Sequence, residues 1–70
     1  MLDVIITKDG EKVASFENQN SDFCAFRYML AHQSQSIHWA VRYEGWDAII
    51  TDKKTGNVSR YSDDFKNYNV

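Results

Sequence analysis

Cys24, His32 and His38 are the residues of this chain whose types could support nucleophilic or metal chemistry. A cysteine nucleophile needs a base within hydrogen-bonding reach. Cys24 and His32 fall on one predicted helix about two turns apart, roughly 12 Å along its axis, which is beyond that reach. Cys24 stands among Phe23, Ala25 and Phe26, the setting of a small buried hydrophobe rather than a reactive thiol. His32 and His38 straddle an expected helix-to-strand boundary, and no third residue stands at a zinc-ligand spacing. The carboxylates Asp63 and Asp64 are adjacent in a polar tail, while Glu44, Asp47 and Asp52 are scattered. Neither arrangement makes a general acid–base pair, which needs a cleft that drives two pKa values apart. The expectation is a chain with no catalytic residue, no cofactor and no metal, and so not an enzyme.

Charge narrows the partners. Eight basic and ten acidic side chains leave a net charge of -2, which argues against a general electrostatic grip on nucleic acid or an anionic membrane. No stretch approaches the roughly 18 apolar residues of a membrane helix. One cysteine excludes an internal disulfide, and the Leu-Asp-Val-Ile-Ile run after Met1 has neither a basic leader nor a small-residue cleavage site. Cytoplasmic residence is the expectation, with no membrane partner.

Seventy residues form a single domain, 1–70, that buries only about 60% of its unfolded surface. With 43% hydrophobic residues, 14% of all residues being aromatic, the chain stands apart from disordered compositions. Its three glycines, in Asp9-Gly10, Glu44-Gly45 and Thr55-Gly56-Asn57, mark turns between strands and leave none for a phosphate-cradling loop.

The first hairpin reads as a three-residue loop, Lys8-Asp9-Gly10, pairing Thr7 with Glu11. Leu2, Val4, Ile6, Ala14 and Phe16 then share one face, with Asp3, Ile5, Thr7, Glu11, Val13, Ser15 and Glu17 on the other. Ser21 and Asp22 open a helix that runs to Gln33, with Phe23, Phe26, Leu30 and Ala31 as its core stripe and Tyr28 and Met29 on its flank.

The segment Ile37 to Ile50 reads as a second hairpin about Glu44-Gly45. One face carries Ile37, Trp39, Val41, Tyr43, Trp46, Ala48 and Ile50. The other carries His38, Ala40, Arg42, Asp47, Ile49 and Thr51, with Arg42 opposite Asp47. A further strand, Asn57 to Tyr61, pairs Val58 with Thr51 and turns Tyr61 to the core and Arg60 outward. Residues 61–70 close the chain as a short helical turn, with Phe65 and Tyr68 folding back, or as a frayed tail. The expected fold is α+β, ββαβββ: an antiparallel sheet of about five strands, the third beside the first, with one helix packed on one face. Strands two and five form its open edges.

The helix followed by a three-strand meander, whose last turn is Asp52-Lys53-Lys54-Thr55-Gly56-Asn57-Val58, resembles the closing part of PepSY domains. The likeness covers roughly the second two thirds of the chain, and the leading hairpin is extra to it. It implies association with secreted or membrane-bound partners, and no functional residue carries over from it.

Binding to an unidentified protein is the favoured role, through the outer sheet face or an edge strand, with a homodimer as one form of it. The expected interface gathers Ile5, Val13, Ala40, Ile49 and Val58, with Tyr28 and Met29 on the helix. A free-standing acidic chain of this size suits a phage or mobile-element accessory protein or a small inhibitor. The alternative is weak binding of single-stranded nucleic acid by His38, Arg42, Lys53, Lys54 and Arg60 on the outer face. With the tryptophans turned inward in that register, stacking platforms are missing, and nucleic acid ranks second.

Overall fold

Leu2, Val4 and Ile6 alternate with polar or mixed neighbours, and the computed structural model, which describes residues 1–32 and 36–65, builds strand β1 over Leu2–Lys8. Strand β2, Glu11–Gln19, returns antiparallel to it. The turn between them has two residues: Asp9 (φ 54°) and Gly10 (φ 84°) are both left-handed, the conformation whose twist matches a tight hairpin. Lys8 therefore pairs with Glu11 and Thr7 with Lys12, correcting the three-residue loop expected from the sequence.

A register shift follows directly, because Ile6 pairs with Ala14 and Val13 is the extra residue of a bulge. The bulge restores the expected parity. Val4 and Ile6 are fully buried, and Leu2, Ala14 and Phe16 pack against them, so the face membership holds although its pairing differs.

Helix α1 spans Phe23–Ala31. Its backbone begins at Asp22 without a side-chain cap on that residue, while Ser21 Oγ accepts from Phe23 N at 3.3 Å. The buried face is Ala25 and Met29, both inaccessible, flanked by Cys24 and Tyr28. Phe23, Phe26 and Leu30 point to solvent, reversing the expected stripe. The reason is steric: a methyl group at Ala25 lets the helix axis approach the sheet more closely than a phenyl ring would. The expected helix end at Gln33 lies outside the described residues.

The larger departure is at Ile37–Tyr43, which forms helix α2 and not a strand. Ser36 is its N-cap, its Oγ accepting from Trp39 N at 3.2 Å. Ile37, Ala40 and Val41 at i, i+3 and i+4 face the core, a spacing that suits a helix as well as an alternating run suits a strand. Strand β3, Trp46–Asp52, then lies beside β1, and β4, Val58–Arg60, beside β3. Val58 pairs with Thr51 as expected. Helix α3, Tyr61–Phe65, begins directly after β4, giving the chain end a helical turn; the expected Tyr68 contact falls outside the described residues.

The class is α+β with an antiparallel sheet, as expected. Its order is β2-β1-β3-β4, four strands instead of five, with β2 and β4 at the edges. The core is one cluster of Val4, Ile6, Trp46, Ala48 and Ile50 from the sheet with Ala25, Met29, Ile37, Ala40 and Tyr61 from the helices.

Side-chain bonds tie the layers at their corners. Asp47 accepts from Ser62 N (3.0 Å) and Ser62 Oγ (2.9 Å) and pairs with Arg60 at 3.8 Å, so α3 is capped from β3. The expected Arg42–Asp47 pairing across a hairpin gives way to this one, because Arg42 lies on α2. At the opposite end Lys53 donates to Asn18 Oδ1 at 2.9 Å and lies 3.9 Å from Asp3.

Candidate functional site

The residues expected to share an interface are divided by the fold. Ile5 and Ile49 pair directly across β1 and β3, on the side opposite Val4, Ile6, Ala48 and Ile50, and both are half-buried. Ser15 lies opposite Ile5 and Arg60 opposite Ile49, so the outer sheet face is a mixed row with two isoleucines at its centre. Val58 is exposed beside Thr51, and Val13 is exposed at the bulge. Ala40 and Met29 are fully buried and cannot meet a partner; Tyr28 packs against the core, edge-on to Phe16 and Trp46.

The alternative basic face is not assembled as one surface. His38 and Arg42 stand on α2 in the helical layer, while Arg60 is on β4 and Lys53 and Lys54 are in the turn after β3. Lys53 and Arg60 are ion-paired with Asp3 and Asp47, which removes part of their field. The second reading therefore loses the geometry on which it was expected to rest.

What the helical layer presents instead is a set of large apolar side chains that sequence reasoning had placed inside. Phe23 is 61% exposed, Phe26 36% and Leu30 51% on α1; Trp39 is 45% and Tyr43 64% exposed on α2. On each helix an arginine flanks the apolar stripe. At 100° per residue Arg27 projects beside Phe23, on the side away from Leu30 and Phe26, and Arg42 projects beside Trp39. Both are exposed.

The α2 stripe is ordered by its own contacts. The Trp39 and Tyr43 rings are 4.7 Å apart at 50°, Trp39 Nε1 donates to Glu44 Oε1 at 3.0 Å, and the Arg42 guanidinium lies 5.7 Å from the Tyr43 ring centre. Ring contacts run from α1 to α2 through α3: Phe26 is edge-on to Tyr61 at 5.9 Å, Tyr61 stacks on Phe65 at 4.9 Å, and Phe65 meets His38 at 4.6 Å. These contacts tie the three helices into one layer through the buried Tyr61 and the half-buried Phe65. A shallow depression of about 310 Å³, lined by Ser36, His38, Trp39, Arg42 and Tyr43, is at the bottom of the range of small-molecule sites.

Among the described residues two groups have displaced pKa values, and neither lends a nucleophile. Burial pushes the Cys24 thiol up, aided by the Asp22 charge and opposed by hydrogen bonds from the Ala25 and Cys24 backbone. Burial and the hydrogen bond to Asp22 drive the Tyr61 hydroxyl far above its usual range. Among the described residues, no group of three or more His, Cys, Asp or Glu side chains gathers where a metal could be held. No helix among them is long and apolar enough to cross a membrane.

No family model, curated protein or solved structure matches this chain. The resemblance to the closing part of PepSY domains finds no support there, and its leading meander strand is helix α2 in the structure.

Sequence signals for this surface existed. Ser36 ahead of Ile37, Ala40 and Val41 is an N-cap and a helical core stripe, which frees Trp39 and Tyr43 to face outward. On α1 two stripes competed, and the larger Phe23–Phe26–Leu30 set drew the assignment away from Ala25 and Met29.

Proposed function

We propose that this chain is a protein-binding module that docks through the outer surface of its helical layer. The observation that supports this most is the exposure of Phe23, Leu30 and Tyr43, each more than half open to solvent on helices whose opposite sides carry the core. Single exposed apolar residues are ordinary, but five large ones on neighbouring helices exceed that background. Aromatic residues and arginine are the types enriched in interfaces, and both are here.

Magnitudes agree. On average about half exposed, the five side chains offer roughly 500 Å² at about 200 Å² per large side chain. Covering that area is worth about 12 kcal/mol at 25 cal/mol per Å², comparable with the roughly 4–15 kcal/mol that association costs in lost freedom. The partner's own buried surface tips the balance. The outer sheet face is the weaker candidate, since Ile5 and Ile49 are half-buried among Ser15, Arg60 and threonines. The reading is of a binder without a catalytic role, and the lone Cys24 suits a reducing, cytosolic compartment.

A photo-crosslinking amino acid placed at Phe23, Tyr43 or Val58, in cells that make the protein, tests the surface. Defined adducts from the two helix positions and none from Val58 are expected. Adducts from Val58 alone would move the site to the sheet.

A further inference from the structure

We infer that the occupant of the helical surface is a second copy of this chain, bound about a two-fold axis; the inference rests on the docking reading above and names its partner. The first support is the charge pattern. Among the described residues of the three helices, the exposed ionised side chains are Arg27 on α1, Arg42 on α2, and Asp63 and Asp64 on α3. Two cations and two anions cancel, although the chain as a whole carries -2. A surface built for an acidic or a basic partner would carry one sign. A balanced surface bearing both signs can complement itself, because a two-fold contact presents the same patch to itself and can bring one copy's Arg27 to the other's acidic α3. The acidic excess lies elsewhere on the molecule, so two copies meeting here are not repelled at contact.

The second support is size. Among the described residues the largest side chains with essentially no accessible surface are Ile6, Met29 and Val4, a thin core for a chain in the range where small scaffolds often need a further source of stability. A standard interface takes about 800 Å² per partner, about a sixth of the 4760 Å² surface of this chain. The five exposed side chains of α1 and α2 supply more than half of that area, at about 200 Å² for a fully exposed large side chain. Packing them against their symmetry mates adds the apolar layer that one copy lacks.

Sedimentation equilibrium and thermal unfolding of the purified protein over a hundredfold concentration range test this. A mass of two chains at high concentration and a midpoint temperature that rises with concentration are expected, because binding to the native form stabilises it by mass action. Leu30→Glu and Arg27→Glu should each raise the dissociation constant at least tenfold, and Val58→Glu less than twofold, with circular dichroism unchanged in all three. A single-chain mass up to about 1 mM, a dimer weakened by Val58→Glu and not by Leu30→Glu, or a dimer that Arg27→Glu leaves untouched would each overturn it. A monomer that nonetheless crosslinks to another protein through Phe23 would remove self-association and leave the docking reading standing.

Discussion

The Tyr61 hydroxyl donates to Asp22 Oδ2 at 2.5 Å and lies 3.4 Å from the Asp22 carbonyl oxygen, fastening α3 to the residue on which α1 begins. Thirty-nine residues separate the two in sequence. The contact closes the helical layer: Tyr61 is buried, stacks on Phe65 and meets Phe26 edge-on. Losing it would free the C-terminal helix and one rim of the aromatic surface together.

This bond gives the fold an alkaline limit. Burial, then the hydrogen bond and charge of Asp22, raise the Tyr61 pKa above the ordinary value of 10.0. The native state therefore holds its phenolic proton where the unfolded chain releases it, and the unfolded chain binds fewer protons at high pH. The Tyr61 contribution is complete below pH about 10 and declines above it, as the unfolded chain ionises, until the native tyrosine ionises in turn. Urea midpoints measured between pH 8 and 11 should fall more steeply for the wild type than for Tyr61→Phe, which loses the hydrogen bond but has no proton to shed. Parallel slopes would show that Tyr61 ionises normally.

The rotation of α1 about its axis can be read from two neighbouring residues. Met29 is fully buried and Leu30 is half exposed. Met29→Ala should cost about 2–5 kcal/mol, the range for emptying a buried site, while Leu30→Ala should stay within roughly 0.5 kcal/mol of wild type. Denaturant unfolding of the two variants at a low protein concentration measures this. The reverse order would turn Phe23, Phe26 and Leu30 inward and abolish the proposed docking surface.

How far the sequence revealed this arrangement depends on the segment. The β1–β2 hairpin was legible because alternation and turn chemistry agreed, and even a wrong loop length kept Leu2, Val4, Ile6, Ala14 and Phe16 on one face. Trp46 to Tyr61 was legible for the same reason, down to the Thr51–Val58 pair. Ile37–Tyr43 misled because β-branched and aromatic residues alternate through it; the Ser36 cap, a bond of 3.2 Å to Trp39 N, outweighed that preference once Ile37, Ala40 and Val41 could pack on the sheet. One helix read as a strand was enough to invert the candidate site. Trp39 and Tyr43 moved from core to surface, His38 and Arg42 left the sheet, and Ala40 entered the core.

The corner between α2 and β3 supplies a sharper test of how the hairpin is anchored. Asp9 N donates to the Gly45 carbonyl at 2.8 Å, and the Lys8 ammonium donates to the Glu44 carbonyl while lying 5.5 Å from the Trp46 ring centre. The tip of the first hairpin is thus latched to the bend that delivers the chain from helix to sheet. Gly45 has φ +82°, and a Cβ there would fall 2.0 Å from Asp9 Oδ1. Gly56 has nearly the same φ, +80°, with nothing within 4 Å of its Cβ position. Replacing each by alanine separates the two effects. Gly56→Ala carries only the backbone cost, about 1–2 kcal/mol, whereas Gly45→Ala adds displacement of the Asp9 side chain and should cost at least about 1 kcal/mol more. Asp9→Gly removes the obstructing carboxylate without removing the backbone bond, so the pair Gly45→Ala and Asp9→Gly should be less destabilising than the sum of the single changes. Chemical denaturation of the four variants closes the cycle. Strict additivity would mean that the hairpin tip and the α2–β3 corner do not touch as the structure places them.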